Sequence, residues 1–225
     1  MFNSFSLGIG ADGVPGYPLI EAYLTGKELK TVAEIDASVS DLMTSARLYM
    51  YGLQFTYNPH RMILNRVTDV YLLDADGNRR ELEDDKMYRV VADLYSGQML
   101  SAVTKTSYGL LSVVPKKADG TPIENFEDVI LTDNGGELKA WTAIAHYMES
   151  FPDENGDGIA DIPQYYAGLH ERKVVDDSSD LIKLIKNPNK YAVMIAGIVL
   201  IAILLVVLLI RLVLKLVKYR TGKSL

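Results

Sequence analysis

The 225-residue chain contains no cysteine, so it forms no disulfide, carries no thiol nucleophile and offers no thiolate to zinc or an iron–sulfur cluster. Histidine is nearly as scarce. His60, His146 and His170 are far apart and lack the HExxH or HxH spacing of a metal centre, which makes each a surface or loop residue. There is no Walker A loop, no GxSxG elbow and no GxGxxG turn. The run Glu81-Leu82-Glu83-Asp84-Asp85 has the composition of a solvated turn rather than an acid/base pair. Acidic residues are missing from one end. Eight of the 23 Lys and Arg lie from Lys183 onward, where no Asp or Glu occurs, so residues 1–182 carry 15 positive charges against all 29 negative ones. A body of that charge repels a phosphate backbone, and nucleic acid is not expected as a partner.

What is present includes one long apolar run. Tyr191 to Ile210 is twenty residues without a charge, about 30 Å as a helix, which matches a bilayer core. A buried core helix would carry a polar stripe that this run lacks. The pattern predicts a transmembrane helix at 191–210, with Tyr191 and Tyr219 at interfacial positions and the lipid bilayer as a partner. Arg211, Lys215, Lys218, Arg220 and Lys223 follow the run, so the positive-inside rule makes 211–225 a basic cytoplasmic tail of a single-pass cell-membrane protein. Aliphatic residues interleave with the first of these cations, so the helix is expected to run on and the cations to snorkel. Residues 1–176 are then an ectodomain outside the cell, joined to the helix by a stalk or short helix at 177–190 with a break at Pro188. Export needs a signal, yet Met1-Phe2-Asn3-Ser4-Phe5-Ser6 has no basic start, and Gly8, Gly10, Asp12 and Gly13 interrupt any apolar stretch. Tail-anchored insertion would oppose the charge bias. The expectation is instead that Met1 is not the natural start and that the chain is the end of a longer exported protein.

The ectodomain mixes two periodicities. Ile20, Ala22 and Leu24 alternate as in a strand, whereas Leu29, Val32, Ala33, Val39, Leu42 and Met43 recur at helical steps, with Thr25 as N-cap three residues ahead of Glu28. Residues 47–57 and 66–73 are rich in β-formers on either side of the turn Asn58-Pro59-His60, and Asp76-Gly77 leads back to the strand Met87–Val91. Leu138, Trp141, Ala145 and Met148 line a helix between Gly136 and Phe151. Residues 108–135 suggest only strands and turns around Pro115, Gly120 and Gly135-Gly136. Together these predict an α+β fold, a mixed sheet with flanking helices and one sheet as the core, followed by the single C-terminal transmembrane helix.

One stretch has metal-ligand spacing. Asp153, Asn155, Asp157 and Asp161 supply oxygen ligands at positions 1, 3, 5 and 9 of a calcium-type loop spanning 152–163, with Gly158 at the turning position. Position 12 is Gln164, which weakens a site, and a turn rich in Asp, Asn and Gly has the same composition for conformational reasons alone. Both readings stand. A calcium ion here would be structural.

Four stretches carry a resemblance. They are Tyr17-Pro18-Leu19-Ile20-Glu21-Ala22-Tyr23-Leu24-Thr25-Gly26-Lys27-Glu28-Leu29-Lys30, then Gly52-Leu53-Gln54-Phe55-Thr56-Tyr57-Asn58-Pro59, then Asn65-Arg66-Val67-Thr68, then Asp76-Gly77 leading to Tyr88-Arg89-Val90-Val91-Ala92-Asp93. In this order and spacing the first hundred residues resemble the C-terminal domain of the bacterial 5′-nucleotidase and 2′,3′-cyclic-nucleotide phosphodiesterase family. That resemblance implies a nucleotide or nucleoside as ligand, bound by stacking its base between aromatic rings. It also implies a separate or upstream metallophosphoesterase domain holding two divalent metals that activate water; these 225 residues are expected not to include it. No cofactor is expected within this chain apart from the calcium above.

By the same resemblance Tyr95 matches a base-stacking ring, the alternative being a half-buried core tyrosine. The second ring falls near Arg47-Leu48, where Arg47 could stack its guanidinium or Tyr49 or Tyr51 its ring. The family's Gly-Gly-Asp-Gly-aromatic run reads Ser96-Gly97-Gln98-Met99-Leu100 here, without its acidic group. The functional expectation is therefore the nucleotide-recognition domain and membrane anchor of a surface hydrolase of nucleotide catabolism, inactive alone. The alternative is a membrane-anchored scaffold that binds no nucleotide.

Overall fold

The computed structural model describes residues 8–40, 47–74, 76–106 and 111–221. Strand β1 (Leu19–Thr25) buries Ile20, Ala22 and Leu24, as its alternation predicts. It runs directly into helix α1 (Gly26–Val39), and Thr25 closes the junction. The Glu28 amide donates to Thr25 Oγ1 at 3.3 Å while the Thr25 amide donates to Glu28 Oε2 at 2.8 Å, a reciprocal capping box that satisfies two orphan donors of the helix start. Glu28 does more than cap. Lys116 Nζ lies 2.6 and 2.7 Å from its two oxygens and the Val114 amide donates to it at 3.0 Å, tying the 113–116 segment across the helix start.

Strand β2 (Leu53–Tyr57) pairs antiparallel with β3 (Val67–Leu73), and β3 pairs with β4 (Arg79–Glu81). Asp76-Gly77 thus closes a β3–β4 hairpin. Strand β5 (Met87–Asp93) pairs instead with β1, from Leu19 opposite Asp93 to Thr25 opposite Met87. The far end of the chain returns as β8 (Lys173–Val175), parallel to β2, giving a mixed sheet in the order β4-β3-β2-β8. The core is therefore not built on one sheet. The β1–β5 ribbon and the four-stranded sheet are separate, and Leu24 of the ribbon, Leu29, Val32, Ala33 and Ile35 of α1, and Leu53, Phe55 and Val70 of the sheet form one apolar cluster with α1 between. A fully buried ring such as Phe55 contributes about 2–3 kcal/mol.

The expected strand from residue 47 begins only at Leu53. The reason lies in α1, where Glu34 and Asp36 are 3% and 2% exposed. Asp36 Oδ1 accepts the Leu48 amide at 2.7 Å, and the Leu48 carbonyl accepts from Lys173 Nζ, so this stretch bonds to side chains rather than to a strand. Glu34 accepts the amides of Arg66 and Val67 at 2.8 and 2.9 Å and the Ser38 hydroxyl at 2.6 Å, while Ser38 Oγ accepts the Leu64 amide at 2.9 Å. The expected continuation of α1 through Leu42 and Met43 lies outside the described residues.

Helix α2 (Leu94–Thr106) follows β5, where the sequence suggested no helix, and Asp93 caps it by accepting the Ser96 amide at 2.8 Å. Gly97 marks its seat: a Cβ there would stand 2.4 Å from Ile20 Cδ1. The short hairpin β6 (Thr132–Asp133) and β7 (Gly136–Glu137) leads into α3 (Ala140–Glu149), a shorter helix than the predicted one because Gly136 and Glu137 pair with β6. Lys139, just before α3, is buried with its ammonium on Asp12 and Glu137; burial opposes its charge, but the two carboxylates hold its pKa above the usual lysine value.

After β8 comes a short helix α4 (Leu181–Ile185), then α5 (Lys190–Thr221). Residues 190–217 of α5 are long and apolar enough to cross a membrane. The segment 177–189 is seated on the β2–β3 loop. Asn58 Nδ2 donates to the Ser178 carbonyl at 2.7 Å and His60 Nε2 lies 2.8 Å from Asp177. The buried Arg61 donates to the carbonyls of Asn65, Lys183 and Lys186 at 2.7, 2.9 and 2.9 Å, two of them the orphan acceptors at the end of α4. Asn189 donates through its amide to Asn65 Oδ1 at 2.9 Å and through Nδ2 to the Leu64 carbonyl at 2.5 Å. Tyr191, expected at an interface, is buried in the main apolar cluster, and Ala192 is buried with it.

Two outcomes follow from these ties. Burial raises the Glu28 pKa, but Lys116 and the Thr25 and Val114 amides outweigh it, so the carboxyl sits below its ordinary 4.5. Its contribution is complete above that value and is lost as pH falls through the lower folded one. Glu28→Gln should cost about 2 kcal/mol in urea unfolding at pH 7 and flatten the loss of stability on acidification; an unchanged acid limb would contradict this. Arg61→Ala should cost about 3 kcal/mol and speed amide exchange of residues 181–189 selectively, read by mass spectrometry.

Candidate functional site

Where α1 ends, Asp36, Ala37 and Ser40 form one wall of a cavity of about 400 Å³; Arg47, Tyr49 and Met50 form a second, and Tyr57, Arg172 and Lys173 close it. Asp36 is the hinge of this arrangement. One oxygen holds the Leu48 amide, and the other lies 2.6 Å from Lys173 Nζ, so two walls hang from a single buried carboxyl group. With Lys173 neutralised by Asp36, the guanidinium groups of Arg47 and Arg172 have no ion-pair partner among the described residues. Arg172 lies over the Tyr51 ring at 5.2 Å and Lys173 Nζ over the Tyr49 ring at 5.4 Å. The cavity therefore combines net positive charge with exposed tyrosine faces, a set suited to an anionic aromatic ligand.

Tyr95 does not line this cavity. It sits in the first turn of α2, partly exposed, with its ring 5.6 Å from that of Tyr17 and tilted by 32°. The structure thus brings Arg47 and Tyr49 together and leaves Tyr95 with a different aromatic partner.

The family comparison covers the Tyr17–Tyr95 pair and all of the cavity lining except Arg172 and Lys173. Residues 16–103 match the model of the 5′-nucleotidase C-terminal domain. This segment is similar to the 5′-nucleotidase C-terminal domain. Solved structures that align with parts of this chain include a 5′-nucleotidase precursor from Thermus thermophilus at 20% identity and a TM-score of 0.44, over 71% of this chain and 25% of that one. The NAD nucleotidase of Haemophilus influenzae aligns at 22% identity and a TM-score of 0.32, over 37% of this chain and 18% of that one. The sulfate thiohydrolase SoxB of Thermus thermophilus aligns at 20% identity and a TM-score of 0.37, over 72% of this chain and 23% of that one. The chain thus spans a quarter or less of those proteins. A comparison with curated protein sequences gives no match.

Within the matched segment Arg47 and Tyr49 precede β2, and the cavity is completed by Arg172 and Lys173, which lie beyond it. Sequence reasoning missed these two. No local motif marks them; they arrive because β8 pairs with β2, the Phe55 amide donating to the Arg172 carbonyl at 3.1 Å.

The calcium-type loop folds on itself. Asp153 Oδ1 accepts the Gly156 amide at 2.7 Å and Oδ2 the Gly158 amide at 2.8 Å, Asn155 Oδ1 the Asp157 amide and Asp157 Oδ1 the Ile159 amide at 2.9 Å each, and Asp161 Oδ2 the Glu154 amide at 2.8 Å. The Gly158 amide above all lowers the Asp153 pKa. Among the described residues no three His, Asp or Glu side chains stand close enough to hold a metal. The histidines have other neighbours: His60 lies in the seat of the C-terminal segment, His146 Nδ1 lies 3.8 Å from Asp133, and the His170 ring lies 4.2 Å from that of Tyr165.

Proposed function

We propose that this chain is the nucleotide-recognition domain and membrane anchor of a surface 5′-nucleotidase-like phosphoester hydrolase, and that hydrolysis requires a separate or preceding metallophosphoesterase domain. The observation that carries the reading is the family match over residues 16–103, joined to a cavity whose Arg47 and Arg172 lack ion-pair partners among the described residues. In this reading the guanidinium groups take the nucleotide phosphate and Tyr49 the base. The apolar α5 is the anchor, with the ectodomain outside the cell and the basic end in the cytoplasm, which the excess of lysine and arginine after Ile210 supports. Tyr95 beside Tyr17 is the second place where a base could stack, and the two surfaces make opposite predictions.

Isothermal titration of the full chain in detergent with adenosine, AMP and a 2′,3′-cyclic nucleotide tests both. AMP should bind more tightly than adenosine, and Arg47→Ala and Arg172→Ala should each weaken AMP about tenfold, or 1.4 kcal/mol, with Tyr95→Ala unchanged. Loss confined to Tyr95→Ala would move the site to the Tyr17–Tyr95 surface. No heat from any ligand would favour the scaffold reading.

A calcium ion held by Asp153, Asn155, Asp157 and Asp161 is proposed as a structural element of the same domain, on the ligand spacing. Millimolar calcium should then raise the melting temperature of the full chain and not that of Asp157→Ala; an equal response in both would remove the ion.

A further inference from the structure

Beyond the helix itself, the chain presents a second apolar surface beside the proposed membrane span. Leu181, Ile182 and Ile185 of α4 are 76%, 72% and 73% exposed, and their spacing puts them on one helix face, while Leu184 turns inward. Met62 and Ile63, at 39% and 41% exposure, lie in the β2–β3 loop that holds α4 through Arg61. The same loop grips the start of α5, since Asn65 and Leu64 bind Asn189. The left-handed backbone at Asn187, with φ of 48°, and Pro188 separate α4 from α5, so α4 does not continue the spanning helix. Three lysines, Lys183, Lys186 and Lys190, stand among these residues, and no acidic residue follows Asp180.

We propose that α4 and the tip of the β2–β3 loop lie in the headgroup region of the bilayer. Leu181, Ile182, Ile185, Met62 and Ile63 are immersed there, and the lysines meet anionic phospholipids. Two arguments choose lipid over a protein partner. The surface is continuous with α5: Tyr191 and Ala192 are the last buried residues among those described, and Val193 to Val217 are exposed or partly exposed, so the bilayer boundary falls within a turn or two of the loop that grips Asn189. The charge pattern also fits: from Leu181 to the span there are three lysines and no acidic residue, and while Lys183 lies 3.8 Å from Asp176, Lys186 and Lys190 have no ion-pair partner among the described residues. The consequence is a second membrane contact that fixes the tilt of the domain, so the cavity faces the bilayer at a set angle. This inference rests on the proposed membrane anchor and adds an orientation to it.

The absence of cysteine makes the test direct. Single-cysteine variants Ile63→Cys, Ile182→Cys, Val199→Cys and Asp76→Cys of the full chain are labelled with an environment-sensitive fluorophore. They are reconstituted into phosphatidylcholine vesicles with and without phosphatidylglycerol, and quenched by lipids carrying a nitroxide near the headgroup or near the chain end. Asp76 is the exposed control, in the β3–β4 turn at the opposite end of β3 from the loop, about 20 Å away along the strand. Labels at 63 and 182 should shift to the blue and be quenched most by the shallow nitroxide, and more with phosphatidylglycerol. The label at 199 should be quenched most by the deep nitroxide, and the label at 76 by neither. Labels at 63 and 182 that behave like that at 76, with 199 still quenched, would overturn the headgroup contact and leave the anchor. No quenching at 199 would overturn the anchor and the contact together. Blue shifts at 63 and 182 that are indifferent to phosphatidylglycerol would overturn the role given to the lysines.

Discussion

Three carboxyl groups on α1 hold the domain together, and each binds a segment remote from the helix. Glu28 ties residues 114 and 116 at its start, Glu34 the entrance to β3 in its middle, and Asp36 both residue 48 and Lys173 near its end. A buried carboxyl group without partners costs several kcal/mol, so these positions are stable only when the remote segments arrive with their amides and ammonium groups correctly placed. The apolar cluster around Phe55 and Leu29 favours collapse in many registers. The carboxyl groups favour one.

That constraint carries over to the site. The cavity is open because residues 47–50 do not form a strand, and they do not because Asp36 and Lys173 engage the backbone of Leu48. Its charge follows from the same pairing: the lysine is consumed by Asp36, which leaves the two arginines without an ion-pair partner among the described residues. An acidic domain can in this way present a locally positive cavity, since most of its 29 carboxylates are elsewhere on the surface or already paired.

Local signals were the legible part. The Thr25–Glu28 box, the alternation of Ile20, Ala22 and Leu24, and the Asp76-Gly77 turn depend on residues within a few positions of one another, and the structure has them all. Glu34 and Asp36 were illegible because an acidic residue in an amphipathic helix reads as its solvated face, and their partners are backbone groups without a sequence signature. The parallel β2–β8 pairing was illegible for a related reason: three residues, Lys173 to Val175, carry too short a pattern, and their partner strand lies more than a hundred positions away. The single sheet expected from the strand count divides because β5 returns to β1 rather than to β4. Of the residues lining the candidate cavity, resemblance singled out Arg47 and Tyr49, whereas Arg172 and Lys173 enter through that unread pairing.

The pairing also links the cavity to the C-terminal helix. Lys173 stands in the cavity, and three residues later the Asp176 amide donates to the Tyr57 carbonyl at 2.9 Å, just before the segment that Asn58 and Arg61 hold. Tyr57 itself lines the cavity. One edge strand therefore runs from the cavity-lining Lys173 to the seat of α5, and the two places share both β2 and β8. Fraying of β8 would remove Lys173 from Asp36 and leave the latter a buried carboxyl group short of one partner, a cost that opposes independent motion of domain and helix. The parallel strand is short, but the Asp36–Lys173 pair at its start and the Arg61 bonds beyond its end hold it at both sides.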